Sequence, residues 1–192
     1  MLAIIILYFH QKVEKMNRKV LLLHGWGGSD YPHWQSWLAG EIAKNYATVS
    51  FFAFSDFENP KLDVWKDELK QQLKEFNPDI VICHSLANTL WFHLCNEGEL
   101  KEIQKLILVA PPSNSSEIQE LESFFPLVTP QNLYAKESIL VTSTDDPYLT
   151  IDEAKELQKT LGIEMKVLAN AGHINADSGY GEWEWIYQQT TK

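Results

Sequence analysis

A serine hydroxyl is a weak nucleophile until a neighbouring base takes its proton, and a carboxylate makes an imidazole a better base by fixing its tautomer and steadying its cation. The chain offers all three groups in separate turn-rich places. "VICHSLANTL" (Val81–Leu90) puts Ser85 at the end of an apolar run and just ahead of a helix-like stretch. A serine there either caps the helix or is held out of the backbone to attack a substrate. "STDDPY" (Ser143–Tyr148) brings two adjacent carboxylates, and "NAGHINADSGYG" (Asn170–Gly181) brings His173.

The competing residues differ in where they fall. Of six histidines, His10 lies in an N-terminal extension, and His33 and His93 fall in helical patterns. His24 and His84 adjoin loops whose backbone N–H groups are candidate donors, which suits an orienting role. His173 follows the last strand pattern and is the candidate base. Of the two carboxylates, Asp146 precedes Pro147, and a residue before proline is forced toward an extended exit from the strand. Asp146 is therefore the candidate acid, with Asp145 left as a surface or capping residue. Attack on an acyl carbon creates an oxyanion that needs preorganised N–H donors. The N–H of Leu86, at a helix start, is one candidate. The N–H of Trp26, in the flexible His24-Gly25-Trp26-Gly27-Gly28 segment, is the other.

These groups must be carried by elements that deliver them to one place. Lys19–Leu23 reads as a buried strand, and Trp34, Trp37, Leu38 and Ile42 mark one face of a helix, with Pro32 expected in its first turn. Thr48–Phe54 is β-branched and aromatic, hence a strand. Leu62, Trp65, Leu69, Leu73 and Phe76 repeat at helical spacing up to Pro78. Ile80–Cys83 is a third strand, and Leu86, Leu90 and Leu94 mark a helix that Gly98 caps. Lys105–Ala110 and Ile139–Thr142 are further strands. Between them, 111–136 is rich in Pro, Ser and Asn, with one short helix around 117–124. Thr150 and Glu153 form a capping box for a helix that Gly162 ends. Glu164–Leu168 is a sixth strand, and a Trp-rich helix runs from about Glu182. Continuous apolar strands alternating with helices predict a mostly parallel sheet of about six strands covered on both faces. Functional groups of such sheets collect beyond the carboxyl ends of the strands. Trp26, Ser85, Asp146 and His173 all follow strands on that edge.

Length and composition bound the rest. With 192 residues, one domain over 19–192 is expected, preceded by an extension over 1–18. The apolar run Leu2–Phe9 is far shorter than the ~20 residues of a membrane span. It reads either as an extra edge strand or as an extension upstream of Met16, which opens the better first strand. The 26 acidic against 16 basic residues give a net charge of −10, without the basic footprint of a nucleic-acid binder. Cys83 and Cys95, separated by helix rise of ~15 Å, are too far apart for a disulfide. Two reduced cysteines and the absence of a span fit a cytoplasmic protein. No histidine pair has metal-ligand spacing, so neither metal nor cofactor is expected.

The order Ser85, Asp146, His173 is that of the α/β-hydrolases, whose nucleophile sits in a G-x-S-x-G turn. Here Cys83 and Ala87 stand at the two glycine positions, both small enough for a tight turn. "VLLLHGWGGSDYPHWQSWL", "VICHSLANTL", "STDDPY" and "AGHINADSGYGEW" together resemble the small serine hydrolases related to retinoblastoma-binding protein 9 and the bacterial YdeN type. The likeness spans Lys19 to Tyr187, and the family more often has glycine where Ala87 stands. It implies an α/β-hydrolase fold without a large cap, with Ser85 as nucleophile, Asp146 as acid and His173 as base. Esterase- or peptidase-like cleavage of a small acyl substrate is what it implies for activity. The segment 111–136 suits a short flap, and Ser123–Val128 and the tryptophans Trp26, Trp34 and Trp183 could line an apolar pocket or fill the core. Two other functions stay open at this point: a protein-binding module that keeps the fold without the activity, and cysteine chemistry at Cys83. Oligomeric state is not encoded in any motif.

Overall fold

A computed structural model of the chain describes residues 18–45, 47–114 and 118–191. The expected extension 1–18, with its edge-strand alternative and His10, lies outside them except for Arg18. The elements run β1 (Lys19–Leu23), α1 (Trp34–Lys44), β2 (Thr48–Phe52), α2 (Leu62–Phe76), β3 (Ile80–His84), α3 (Leu86–Glu97) and β4 (Ile103–Val109). A 3-10 turn (Gln119–Phe124) follows, then β5 (Ala135–Ser143), α4 (Ile151–Leu161), β6 (Glu164–Leu168), a short 3-10 turn (Ala176–Ser178) and α5 (Glu184–Thr191).

The six strands form one sheet in the order β2-β1-β3-β4-β5-β6, every neighbouring pair parallel. Strand alternation splits the core into two layers. Leu21, Leu23, Val81, Cys83, Leu106 and Leu108 face α2, α3 and α4, where Trp65, Leu69, Leu90, Trp91 and Leu157 close over them. Val20, Leu22, Ile80, Ile82, Ile107 and Val109 face α1 and α5, under Trp34, Leu38, Ile42 and Ile186. Each such fully buried side chain is worth about 1.5–3 kcal/mol relative to exposure, so both faces anchor the strand ends firmly. The fold is the α/β-hydrolase fold, and among the described residues no large cap covers it. The 3-10 turn between β4 and β5 lays Leu121 and Phe124 onto the core instead.

Several element ends differ from expectation. β5 begins at Ala135 because its polar start pairs with β4 from Ile103↔Ala135 onward, which an apolar-run criterion misses. β2 stops at Phe52, where its pairing with β1 ends at Leu23↔Phe52. Pro32 is not in the first turn of α1: His33 is the N-cap, its Nδ1 accepting from the Gln35 N–H. The Thr150–Glu153 capping box and the left-handed caps at Gly98 and Gly162 form as expected.

Candidate active site

The chain leaves β1 for β2 on one side and returns to β3 on the other, so a crevice opens between the carboxyl ends of β1 and β3, where such sheets take ligands. Ser85 stands at that point with φ 54° and ψ −125°, and its side chain makes no capping bond to α3. A non-glycine residue there carries strain of about 1–3 kcal/mol. The turn is held by the Ser85 N–H donating to the Val109 carbonyl at 3.0 Å. The Asn88 amide reinforces it by donating to the Ser85 and Val109 carbonyls at 2.8 and 2.9 Å. Cys83 and Ala87, at the two glycine positions, are fully buried. Crowding comes from the other side: a Cβ on Gly25 would lie 2.6 Å from the Ser85 Cβ and 3.1 Å from the His84 carbonyl oxygen. Gly25 is thus required for room rather than for flexibility.

The Ser85 Oγ lies 2.8 Å from His173 Nε2. His173 Nδ1 lies 3.0 Å from both carboxylate oxygens of Asp146. These three sequence-selected side chains therefore form one continuous hydrogen-bonded row. Asp146 is buried, and its Oδ1 also accepts from the Tyr148 N–H at 2.9 Å. The β6–α5 loop that carries His173 is fixed through four successive backbone N–H groups. Asn170 donates to Thr144 Oγ1, Ala171 to Ser143 Oγ, Gly172 to Asp145 Oδ1 and His173 to Ser178 Oγ, at 2.8–3.1 Å. Asp145 also accepts from the Ser143 hydroxyl at 2.6 Å, and these bonds hold its carboxyl below the usual range. So Asp145 is an exposed fastener of the loop. Ser143, Thr144, Ser178 and Asn88 were not singled out from sequence; the one signal is that small polar residues crowd the ends of otherwise apolar elements.

The two candidate donors also meet at this place. Trp26 and Leu86 line a cavity of about 410 Å³ together with Ser85, His173, Leu121, Phe125 and Tyr148. Among the described residues, neither the Trp26 nor the Leu86 backbone N–H has an acceptor. The Trp26 loop is pinned by its indole, which donates to the Glu58 carbonyl at 2.8 Å, and by the Gly27 N–H on the Phe57 carbonyl. Trp34 is fully buried, and Trp183 packs edge-on against it in the core. Of the three tryptophans only Trp26 lines the cavity. From Ser123–Val128, Phe125 lines it and Phe124 packs on Trp65 in the core. Two larger cavities, about 700 and 460 Å³, lie at the opposite edge near Lys105 and Gly162 and near Lys74 and Pro78, and their described linings hold neither histidine nor cysteine.

His24, His33 and His84 are buried, while His93 is half-buried with its Nε2 donating to the Phe124 carbonyl at 2.9 Å. His24 Nδ1 donates to the Gly25 carbonyl at 2.7 Å and its Nε2 accepts from the Phe54 N–H at 3.0 Å, which orients the donor loop. Burial lowers the His24 pKa and takes that of His33 down to about 4, the nearby His173 and His24 rings adding to the effect on His33. His84 does not reach a donor loop; its ring turns toward the β6–α5 loop. Burial pushes the Cys83 thiol well up and that of Cys95 to about 12, the reverse of what a nucleophilic thiolate needs. Among the described residues no group of three or more His, Cys, Asp or Glu side chains could hold a metal ion, and no helix is long and apolar enough to cross a membrane.

Known proteins resemble this chain over most of its length. YdeN of Bacillus subtilis (strain 168) is 22% identical over 182 residues, covering 92% of this chain and 96% of that protein. The crystal structure of the B. subtilis ydeN gene product superposes with a TM-score of 0.81 at 20% identity, covering 91% of this chain and 97% of its own. A YdeN-like hydrolase structure from Pectobacterium atrosepticum gives 0.75 at 22% identity, with 94% and 93% covered. The esterase domain of a Rhodothermus marinus protein gives 0.60 at 14%, with 89% and 87% covered. At these identities the structural likeness is one of fold. The family model described as serine hydrolase matches residues 20–192, nearly the whole of the described fold, and the chain belongs to the serine hydrolase family.

Proposed function

We propose that this serine hydrolase cleaves small esters, thioesters or amides through an acyl-enzyme on Ser85, with His173 as base, Asp146 as its carboxylate partner and the N–H groups of Trp26 and Leu86 as oxyanion donors. The observation that carries the reading is the unbroken row from Ser85 Oγ through His173 to Asp146, at 2.8 and 3.0 Å. His173 Nε2 takes the hydroxyl proton as Oγ bonds to the acyl carbon, and the carbonyl electrons move onto oxygen. The two N–H groups stabilise that charge. Collapse breaks the bond to the leaving group, which takes the proton from the imidazolium. Water then repeats the attack, giving its proton to His173, and the acid departs as the proton returns to Ser85.

The cavity favours an uncharged, apolar acyl group. Its described lining carries no Asp, Glu, Lys or Arg side chain, and Leu86, Ile118, Leu121 and Phe125 supply apolar surface. A fluorophosphonate probe followed by peptide mapping tests the reading. Ser85 should be labelled in the wild-type chain and unlabelled in His173→Ala. Ser85→Ala should lower turnover by about 10⁶ with thermal stability nearly unchanged. A folded wild-type chain that resists the probe and cleaves no member of an ester, thioester and aminoacyl panel would overturn it in favour of a binding module.

A further inference from the structure

The base of this site is held by its main chain at both ends, and the two ends are held by different elements. Its N–H is bonded within its own loop, to Ser178 Oγ. Its carbonyl is bonded across the sheet: His84 Nε2 lies 3.1 Å from the His173 carbonyl oxygen. A carbonyl can only accept, so the proton of the His84 ring is on Nε2. Strand alternation sends Ile80, Ile82 and His84 to the α1/α5 face of the sheet and Cys83 to the opposite face. Position 84 is therefore the place in β3 from which a side chain reaches the β6–α5 loop while the next residue turns outward.

The surroundings suit a fixed neutral donor. His84 is buried, with the rings of His33 at 4.8 Å, Trp34 at 5.7 Å and His173 at 5.2 Å. The His33 Nδ1 is already occupied by the Gln35 N–H. Burial, aided by the His33 and His173 rings, holds His84 well below the usual histidine range.

The bond between Ser85 and His173 depends on a hydroxyl that disappears once Ser85 is acylated. The bond from His84 uses no reacting atom and outlasts that stage. We propose that His84 is a positioning residue whose Nε2–H ties the His173 main chain to the strand end bearing the nucleophile, keeping the base in register for water attack on the acyl-enzyme. The proposal rests on the acyl-enzyme reading above.

Three variants test it on a chromogenic acetate ester, with fluorophosphonate labelling and thermal melts alongside. His84→Gln keeps an N–H donor near the Nε2 position. His84→Asn places its donor too short, and His84→Phe keeps a ring without one. With Gln, turnover should stay near wild type. With Asn and Phe, kcat should fall by about 100-fold, the usual consequence of a base misplaced by an ångström. Because only water attack slows, KM should fall with kcat so that kcat/KM hardly moves, and an acetyl adduct should accumulate on Ser85, seen by mass spectrometry. Wild-type turnover in both Asn and Phe, or a Gln variant as impaired as Asn at an unaltered melting temperature, would overturn the proposal. Should Phe fail to fold, the Gln–Asn pair decides alone. A wild-type chain that neither labels nor turns over would refute the acyl-enzyme reading, and this proposal with it.

Discussion

Asp146 has both carboxylate oxygens 3.0 Å from His173 Nδ1 and its side chain out of solvent, while one position earlier Asp145 is exposed and bonds backbone and hydroxyl donors. An amide can replace the second set of contacts and cannot fix the imidazole tautomer in the first. Asp146→Asn should therefore lower kcat/KM by roughly 10⁴, and Asp145→Asn should leave it within an order of magnitude while slightly lowering the melting temperature. An unaltered rate in Asp146→Asn would move the acid to Asp145. Gly25→Ala tests the crowding behind Ser85. Its Cβ would meet the Ser85 Cβ at 2.6 Å and the His84 backbone at 3.1 Å, so the turn must shift. Activity should fall by about 100-fold with circular dichroism unchanged. The types Ser, Asp and His were readable from their turn-flanked settings. The reason for Gly25 was not, because it lies in contact with a residue sixty positions away.

At the scale of elements, helix ends were the most legible features, since caps act over three or four residues. The capping box at Thr150 and the glycine caps needed no tertiary information. His33 was misplaced inside a helix because histidine seldom stands at an N-cap; here its Nδ1 does what a serine or asparagine oxygen would. This has a consequence for acid stability. The folded His33 pKa is about 4 against 6.5 for the free side chain. Between those values the unfolded chain binds a proton that the folded chain does not, so stability rises with pH across the window and is lost as pH falls from 6.5 toward 4. The loss from His33 amounts to about 3 kcal/mol at most, and buried His24 and His84 add to it in the same direction. His33→Asn keeps a capping acceptor and removes the titration. Urea denaturation as a function of pH should then show a shallower acid slope than wild type; an identical slope would remove His33 from the account.

Across the whole molecule, the loop bearing His173 is also tied to α1 from below. The Trp34 indole, fully buried, donates to the Ile174 carbonyl at 2.8 Å across 140 positions of sequence. Trp34→Phe keeps most of the ring and leaves that carbonyl unpaired in the core, at about 1–3 kcal/mol. Denaturant titration should report this loss, with kcat falling more than KM rises because His173 adjoins the freed carbonyl. The parallel sheet, its two covered faces and the edge on which chemistry collects were legible in the sequence, because buried strands and amphipathic helices write their periods locally and parallel pairing requires crossovers. The sequence by itself determined which residue types stand after which strands. Only the tertiary structure decided their contacts: Asp146 rather than Asp145 against the imidazole, the room left by Gly25, and the turn of His84 toward His173. The physical reason is distance along the chain. Such contacts join residues dozens of positions apart, and they follow from strand register and the packing of both faces, which no local pattern encodes.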